Sequence, residues 1–310
     1  MQNLLDIVAY VFMRILFWAL GVLPHSLRVG FFAAIFRIAA ALVPRISRTV
    51  RLNLRRSFPA ASEEWIAAIA RKNAIEIGRL VADTVRLSRL DEDWVRRHVS
   101  FPSFGRYLER MQSQSGKGVL IATGHLGSFE LLGHAVGLMG YPLAAVARRF
   151  RSRLIDRWWT AMRESRGNRI IDRTGAFKQI VAAVNEGISV AVLFDQNVTR
   201  NHAVFVDWFG EPAATTKSVA LAALRTEVPL FVASMKYVGQ ERYVIDLVEC
   251  ECSDVYGNQD ASTDDKVRVI TQRLSDLYCG MIAEFPEGWF WMHRRWKTRP
   301  KLDTTEGQSV

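Results

Sequence analysis

A chain of 310 residues with 49% apolar and 23% charged residues has ample material for a core, which excludes both a mini-protein and an intrinsically disordered chain. Its formal charge of +10 calls for an anionic partner, either nucleic acid, an acidic membrane surface or an acidic carrier protein. Cys250, Cys252 and Cys279 form no disulfide framework and point to a reducing compartment; Cys250-Glu-Cys252 lacks a second ligand pair, so no zinc site is expected.

The run Ile7 to Leu23 is interrupted only by Arg14, and a second apolar run, Val29 to Val43, carries Arg37. The first reaches the lower end of the length that spans a bilayer. A secretory signal is not expected, because the first six residues hold Asp6 and no Lys or Arg. Between Pro24 and Ser62 stand seven arginines (28, 37, 45, 48, 51, 55 and 56) and no acid. Two buried core helices are the alternative reading of these runs; whether the first run otherwise crosses the membrane or lies on it, those arginines meet anionic headgroups on the cytoplasmic side. The expected organisation is a membrane-anchoring or interfacial helical segment over 1–45 and an α/β domain over 46–310.

Ser62-Glu63-Glu64 opens a helix that runs to about Leu87. Gly118 to Thr123 reads as a strand buried on both faces, followed by the loop Gly124–Ser128 and a helix over Phe129–Leu138 that Gly140 ends. Strands follow at Leu143–Ala147, Arg169–Asp172 and Ile188–Phe194, with helices at Arg151–Glu164 and Ala176–Asn185 between them. The remaining elements are a helix over Ala214–Arg225, strands over Leu230–Tyr237 and Arg242–Glu251, and a long amphipathic helix over Asp264–Glu284. This alternation predicts an α/β fold, its sheet mostly parallel in the first half, with the site beyond the carboxyl ends of the strands.

Two strand ends carry chemistry, one leading to His125 and the other to Asp195-Gln196. His125 and Glu130 form an H-x4-E pair. Six histidines in a chain that is one-tenth acidic make this spacing easy to meet by chance, and His202 with Asp207 meets it too. On one regular helix the two side chains would point about 140° apart. They meet only if His125 stays on the Gly-rich loop while Glu130 enters the helix. A carboxylate could then hold one ring nitrogen and leave the other free as a general base, beside helix N–H groups suited to an oxyanion. His202, in a polar stretch, reads as a solvated loop residue. Ser128 lacks the G-x-S-x-G frame of a nucleophile elbow. The ending Trp289 to Trp296 interleaves Trp with Arg, and beside an apolar N-terminal segment it suits membrane or lipid phosphate better than nucleic acid.

From about Arg48 to Pro300 the sequence resembles the bacterial lipid A late acyltransferases and related glycolipid acyltransferases. The resemblance rests on Arg51-Leu-Asn-Leu-Arg-Arg-Ser-Phe-Pro59, Gly124-His-Leu-Gly-Ser-Phe-Glu130, Arg148, Asp195-Gln196, Val204-Phe-Val206, Phe209-Gly-Glu-Pro-Ala213 and Trp291-Met-His-Arg-Arg-Trp-Lys297, in that order. Ala147-Arg148-Arg149 and Phe194 depart from the family's usual Tyr-Arg-Pro and Pro-Asp-Gln, which bears on the acceptor more than on the reaction.

The resemblance implies a glycerolipid-acyltransferase-like mixed sheet flanked by helices, with a hydrophobic membrane-anchoring segment. It implies acyl transfer from an acyl carrier protein or acyl-CoA thioester to a hydroxyl of a membrane glycolipid at a bacterial inner membrane. The acceptor expected is a lipid A precursor, with a phosphatidylinositol mannoside type as the alternative. His125 and Glu130 would form the catalytic dyad. Arg148, Asp195, Gln196, Arg294 and Arg295 would bind substrate or the oxyanion, without a metal or other cofactor. A thioesterase using the same dyad and a non-catalytic membrane adaptor are the rival readings.

Overall fold

The computed structural model describes residues 2–301, so residue 1 and residues 302–310 of the two expected segments lie outside the described residues. Three helices come first: α1 (Gln2–Gly21), α2 (His25–Leu42) and α3 (Pro44–Ser57). The long α4 (Glu63–Arg86) starts where Ser62 caps the Trp65 N–H, with Glu63 and Glu64 in the first turn, as its sequence dictates. Then come α5 (Glu92–His98), the two-residue β1 (Val99–Ser100) and α6 (Phe104–Gln112). A β/α alternation follows: β2 (Leu120–Thr123), α7 (Phe129–Leu138), β3 (Ala144–Ala147), α8 (Arg153–Glu164), β4 (Arg169–Asp172), α9 (Ala176–Asn185) and β5 (Val190–Leu193). A hairpin of β6 (Ala203–Trp208) and β7 (Glu211–Thr216) interrupts it. The chain then forms α10 (Ser218–Thr226), β8 (Leu230–Gly239), β9 (Arg242–Glu249), α11 (Ser253–Gly257) and α12 (Thr263–Glu284).

Seven strands make one mixed sheet in the order β1-β9-β8-β2-β5-β3-β4. From β8 to β4 every pairing is parallel; β9 is antiparallel to β8, and β1 follows β9. Helices cover both faces, over two separate apolar cores. The central strands are buried on both sides, which is why they read as unbroken apolar runs.

The helix expected over Ala214–Arg225 begins as strand and is helical from Ser218 onward. Ala213, Ala214 and Thr215 pair with β6. Antiparallel pairing with β6 across the short Phe209-Gly210 turn overrides the helical preference of alanine there.

The last described segment is strapped across the helices. Asn53 donates to the carbonyls of Trp291 and His293, and Asn73 donates to those of Glu287 and Trp289. Both asparagines are buried, so each satisfies backbone acceptors that water does not reach. A third apolar cluster joins α1, α2 and α4, around Leu20, Val29, Phe32, Ala82 and Val85.

Candidate active site

The parallel pairing of β2 with β5 sets Thr123 opposite Leu193, so the residues two beyond each strand end face one another. Those residues are His125 and Asp195. His125 Nδ1 lies 2.8 Å from Asp195 Oδ1, and the His125 backbone N–H donates to Asp195 Oδ2, also at 2.8 Å. The indole N–H of Trp289 donates to the same Oδ2. Asp195 is 1% exposed and carries three hydrogen bonds. With Nδ1–H given to the carboxylate, the Nε2 lone pair is the free position, and the Gln196 amide sits 3.2 Å from it.

Burial opposes charge on the imidazole, but the charge and hydrogen bond of Asp195 outweigh it and hold the His125 pKa above its ordinary value; Glu130 adds a smaller push. Burial likewise opposes ionisation of Asp195, and His125 and the N–H donors overcome it, so its pKa is lowered.

The loop that carries His125 is shaped by its glycines. A Cβ at Gly124 would stand 2.5 Å from Asp195 Cγ and from the Tyr278 hydroxyl. Gly127 has φ +63°, and a Cβ there would meet the Met235 carbonyl oxygen at 1.8 Å. The carbonyl of His125 accepts from the Phe290 N–H, and the ring packs edge-on against Phe129.

Glu130 does not hold His125. It lies in the first turn of α7 and forms a two-pronged ion pair with Arg163 of α8, whose Nε is 3.0 Å from Oε2. The carboxylate on the imidazole comes instead from the neighbouring strand, because strand register places it there and five residues of loop and helix do not. Arg163 was not foreseen: it is one arginine among many on an amphipathic helix, and only the fold brings it to the site.

The remaining expected residues separate. Arg148 is exposed and lines the cavity mouth. Arg294 is exposed. Arg295 is fully buried under the β6–β7 hairpin, where it donates to the Ala214 carbonyl and the Thr215 hydroxyl and stacks on Trp208 at 4.2 Å. That burial pushes its pKa down to about 10, and it does not line the cavity. His202 is exposed, as expected, yet it lies at the cavity mouth.

A cavity of about 1090 Å³ opens at His125, Glu130 and Gln196. Its mouth carries Arg148, Arg173, Thr199 and Ser218, whereas its depth is apolar, lined by Ile121, Leu132, Val136, Leu143, Ile245 and Leu247. A basic rim over an apolar shaft suits a ligand with an anionic head and a hydrocarbon tail.

The family described as bacterial lipid A biosynthesis acyltransferase matches residues 2–298. The lipid A biosynthesis palmitoleoyltransferase of Escherichia coli is 25% identical over 288 residues, covering 91% of this chain and 89% of that protein. The lipid A biosynthesis lauroyltransferase of the same organism is 26% identical over 288 residues, or 92% and 90%. A phosphatidylinositol mannoside acyltransferase of Mycolicibacterium smegmatis is 26% identical over 186 residues, which span 59% of this chain and 58% of that protein.

Proposed function

This chain belongs to the bacterial lipid A biosynthesis acyltransferase family and is an acyltransferase, and from that premise we propose that it moves a fatty acyl chain from a thioester to a hydroxyl of a lipid A-type glycolipid. The observation that carries the mechanism is the His125–Asp195 hydrogen bond at the mouth of an apolar cavity. Nε2 takes the proton of the acceptor hydroxyl, which replaces the Gln196 amide, as the oxygen attacks the thioester carbonyl. Asp195 holds the Nδ1–H tautomer and stabilises the imidazolium, the role we assign to it in place of Glu130. The N–H groups of Glu130 and Leu131 have no acceptor among the described residues and lie at the positive end of α7, suited to the developing oxyanion. The imidazolium then returns the proton to the departing thiolate, so no covalent enzyme intermediate is required. The apolar shaft receives the acyl chain, and Arg148 and Arg173 face anionic groups of the substrates.

An acyl carrier protein or acyl-CoA is the proposed donor; the +10 charge supports an acidic partner. Mass spectrometry of lipids from cells expressing the wild type or His125→Ala tests the reaction. A glycolipid that gains one acyl group with the wild type alone is the expected result. Free fatty acid rising instead would replace the transferase with a thioesterase, and identical profiles in a host that supplies the acceptor would leave a membrane adaptor.

The membrane contact we propose is a hairpin lying on one leaflet. Both α1 and α2 are long and apolar enough to cross a bilayer by length and composition. Their inner faces, however, are committed to the domain. Phe17 packs on Trp158 and Trp159 of α8, and Arg89 donates to the Trp18 carbonyl. Along α4, a Cβ at Gly78 would meet the Ala33 backbone N at 2.5 Å, and Arg28 is buried. A spanning α2 would carry the Glu76–Arg79 pair of α4 towards the bilayer with it. The outer faces are apolar: Leu5, Phe12, Ile15 and Trp18 on α1, and Leu27, Phe31, Ile35, Ile38 and Leu42 on α2.

Arg45, Arg48 and Arg51 are exposed on the adjoining α3. Replacing these three by Glu is expected to weaken binding to anionic vesicles by about 10⁴-fold, at about 1 kcal/mol per charge removed and as much again for each reversed. Binding unchanged in a vesicle flotation assay would refute this orientation. The free thiols Cys250, Cys252 and Cys279 support a reducing side, and the proposed site is the cytoplasmic face of the bacterial inner membrane.

A further inference from the structure

The loop that carries His125 has a second carboxylate beneath it, which the mechanism above does not use. Asp83 of α4 is 5% exposed. Its Oδ2 accepts a hydrogen bond from the Ser128 hydroxyl at 2.5 Å, and its Oδ1 accepts one from the Tyr243 hydroxyl at 2.8 Å. His25, the first residue of α2, approaches the same Oδ1 at 3.3 Å and the Tyr243 oxygen at 3.1 Å. One buried carboxylate thus joins the start of a membrane-facing helix, a strand of the sheet and the loop three residues after His125.

Ser128 occupies the N-cap position of α7. A serine there ordinarily turns its oxygen onto an N–H two or three residues on, yet Ser128 makes no such bond. Its hydroxyl is turned to Asp83 instead, and the N–H groups of Glu130 and Leu131 stay uncapped beside His125. The other restraints on this loop come from the sheet and the strap: Ser128 N–H donates to the Met235 carbonyl, Gly127 N–H to the Gly288 carbonyl, and His125 N–H to Asp195. The side-chain restraint from α4 on Ser128 is Asp83. A buried carboxylate at this point is costly unless its hydrogen bonds are met, and a structural pin between α4 and the loop needs no charge.

We infer that Asp83 is a positioning residue for acyl transfer, one that draws the Ser128 hydroxyl away from α7 and so fixes both the loop carrying His125 and the open first turn of the helix. The inference rests on the acyl-transfer reading for its kinetic consequence, but not for its geometric one. Asp83 touches no reacting atom and acts through Ser128, so its loss lowers the rate of the bound complex rather than donor binding.

Steady-state kinetics on the full chain, with a lauroyl thioester of acyl carrier protein and a phosphorylated glucosamine-disaccharide lipid in anionic vesicles, supply the test. Asp83→Leu and Ser128→Ala are each expected to lower kcat 30-fold or more with donor KM within twofold. The double variant is expected to be no slower than the slower single one, because both changes break one contact. Asp83→Asn, which can still bond Ser128 and Tyr243, is expected to recover kcat to within fivefold of the wild type.

Losses that multiply in the double variant, or Asp83→Leu and Ser128→Ala that keep full kcat per folded molecule, would overturn the inference. Should Asp83→Leu not fold, Ser128→Ala and Asp83→Asn carry the same comparison. The imidazole resonance that His125→Gln removes from the NMR spectrum gives a readout without turnover. It is expected to move in Ser128→Ala and Asp83→Leu and to stay in Asp83→Asn; a resonance unmoved in all three overturns the inference. A wild type that transfers no acyl group, with that resonance moving as expected, would sink the acyl-transfer reading and leave the positioning role standing.

Discussion

Replacing Asp195 by Asn is expected to slow acyl transfer by about three to four orders of magnitude, the loss seen when a carboxylate behind a catalytic imidazole becomes an amide. The reason is tautomeric. Asp195 accepts the Nδ1–H and leaves the lone pair on Nε2, where the acceptor hydroxyl would arrive. An amide NH2 turned to Nδ1 favours the other tautomer and puts the proton where the base should be. The pH profile supplies an independent check. With Nε2 as the proposed base, activity requires neutral His125 and is expected to be lost as pH falls through the imidazole pKa, which Asp195 raises against the opposing effect of burial. In Asp195→Asn burial acts with only the weaker Glu130 charge against it, and the acidic limb of kcat/KM moves to lower pH. Glu130→Gln moves the limb the same way by less, because its charge is the smaller influence on His125 and is shared with Arg163. Equal effects of the two substitutions would return the orienting role to Glu130.

Gly127→Ala is expected to destabilise the fold by about 2–5 kcal/mol. The left-handed backbone at φ +63° costs a non-glycine residue about 1–2 kcal/mol. Forcing the extra methyl into a packed site adds about 1–3 kcal/mol. The obstacle is a backbone carbonyl, Met235 O, in a strand at the centre of the sheet, so it has little room to give. Gly116 is the control: its φ is +87°, but no atom lies within 4 Å of the added carbon, so Gly116→Ala is expected to cost the backbone strain alone. Equilibrium urea unfolding of both variants measures the difference, and equal midpoints would show that the loop can shift away from β8.

Much of the sheet was legible because its signals are local. The helices Phe129–Leu138 and Ala176–Asn185 and the strand Arg169–Asp172 lie where apolar periodicity and the flanking glycines put them. The β6–β7 hairpin was not read, since Glu-Pro-Ala-Ala-Thr-Thr is strand only by virtue of its pairing with β6. Helix α5 carried a signal that went unused: Asp91 caps the Trp94 N–H, with Glu92 and Asp93 behind it and Arg96, Arg97 and His98 at the far end. In the site, His125 and Asp195 were both marked by their strand ends. Their pairing depends on β2 and β5 being neighbours although two strands intervene in the chain, and no spacing rule contains that. Glu130 was the closer acid in sequence, but helix geometry turned it towards α8 and Arg163.

The strap that Asn53 and Asn73 hold across α3 and α4 gives synthesis an order. Trp289, which supports Asp195, and Phe290, which fastens the His125 carbonyl, are translated roughly 250 residues after the apolar hairpin, on the order of ten to fifty seconds at about 5–20 residues per second. During that interval the nascent chain has its lipid-seeking surface but an unfinished catalytic centre. On the proposed membrane contact, the lipid-facing part of the chain is therefore made before the residues that complete the proposed site, and the last stretch of translation supplies them.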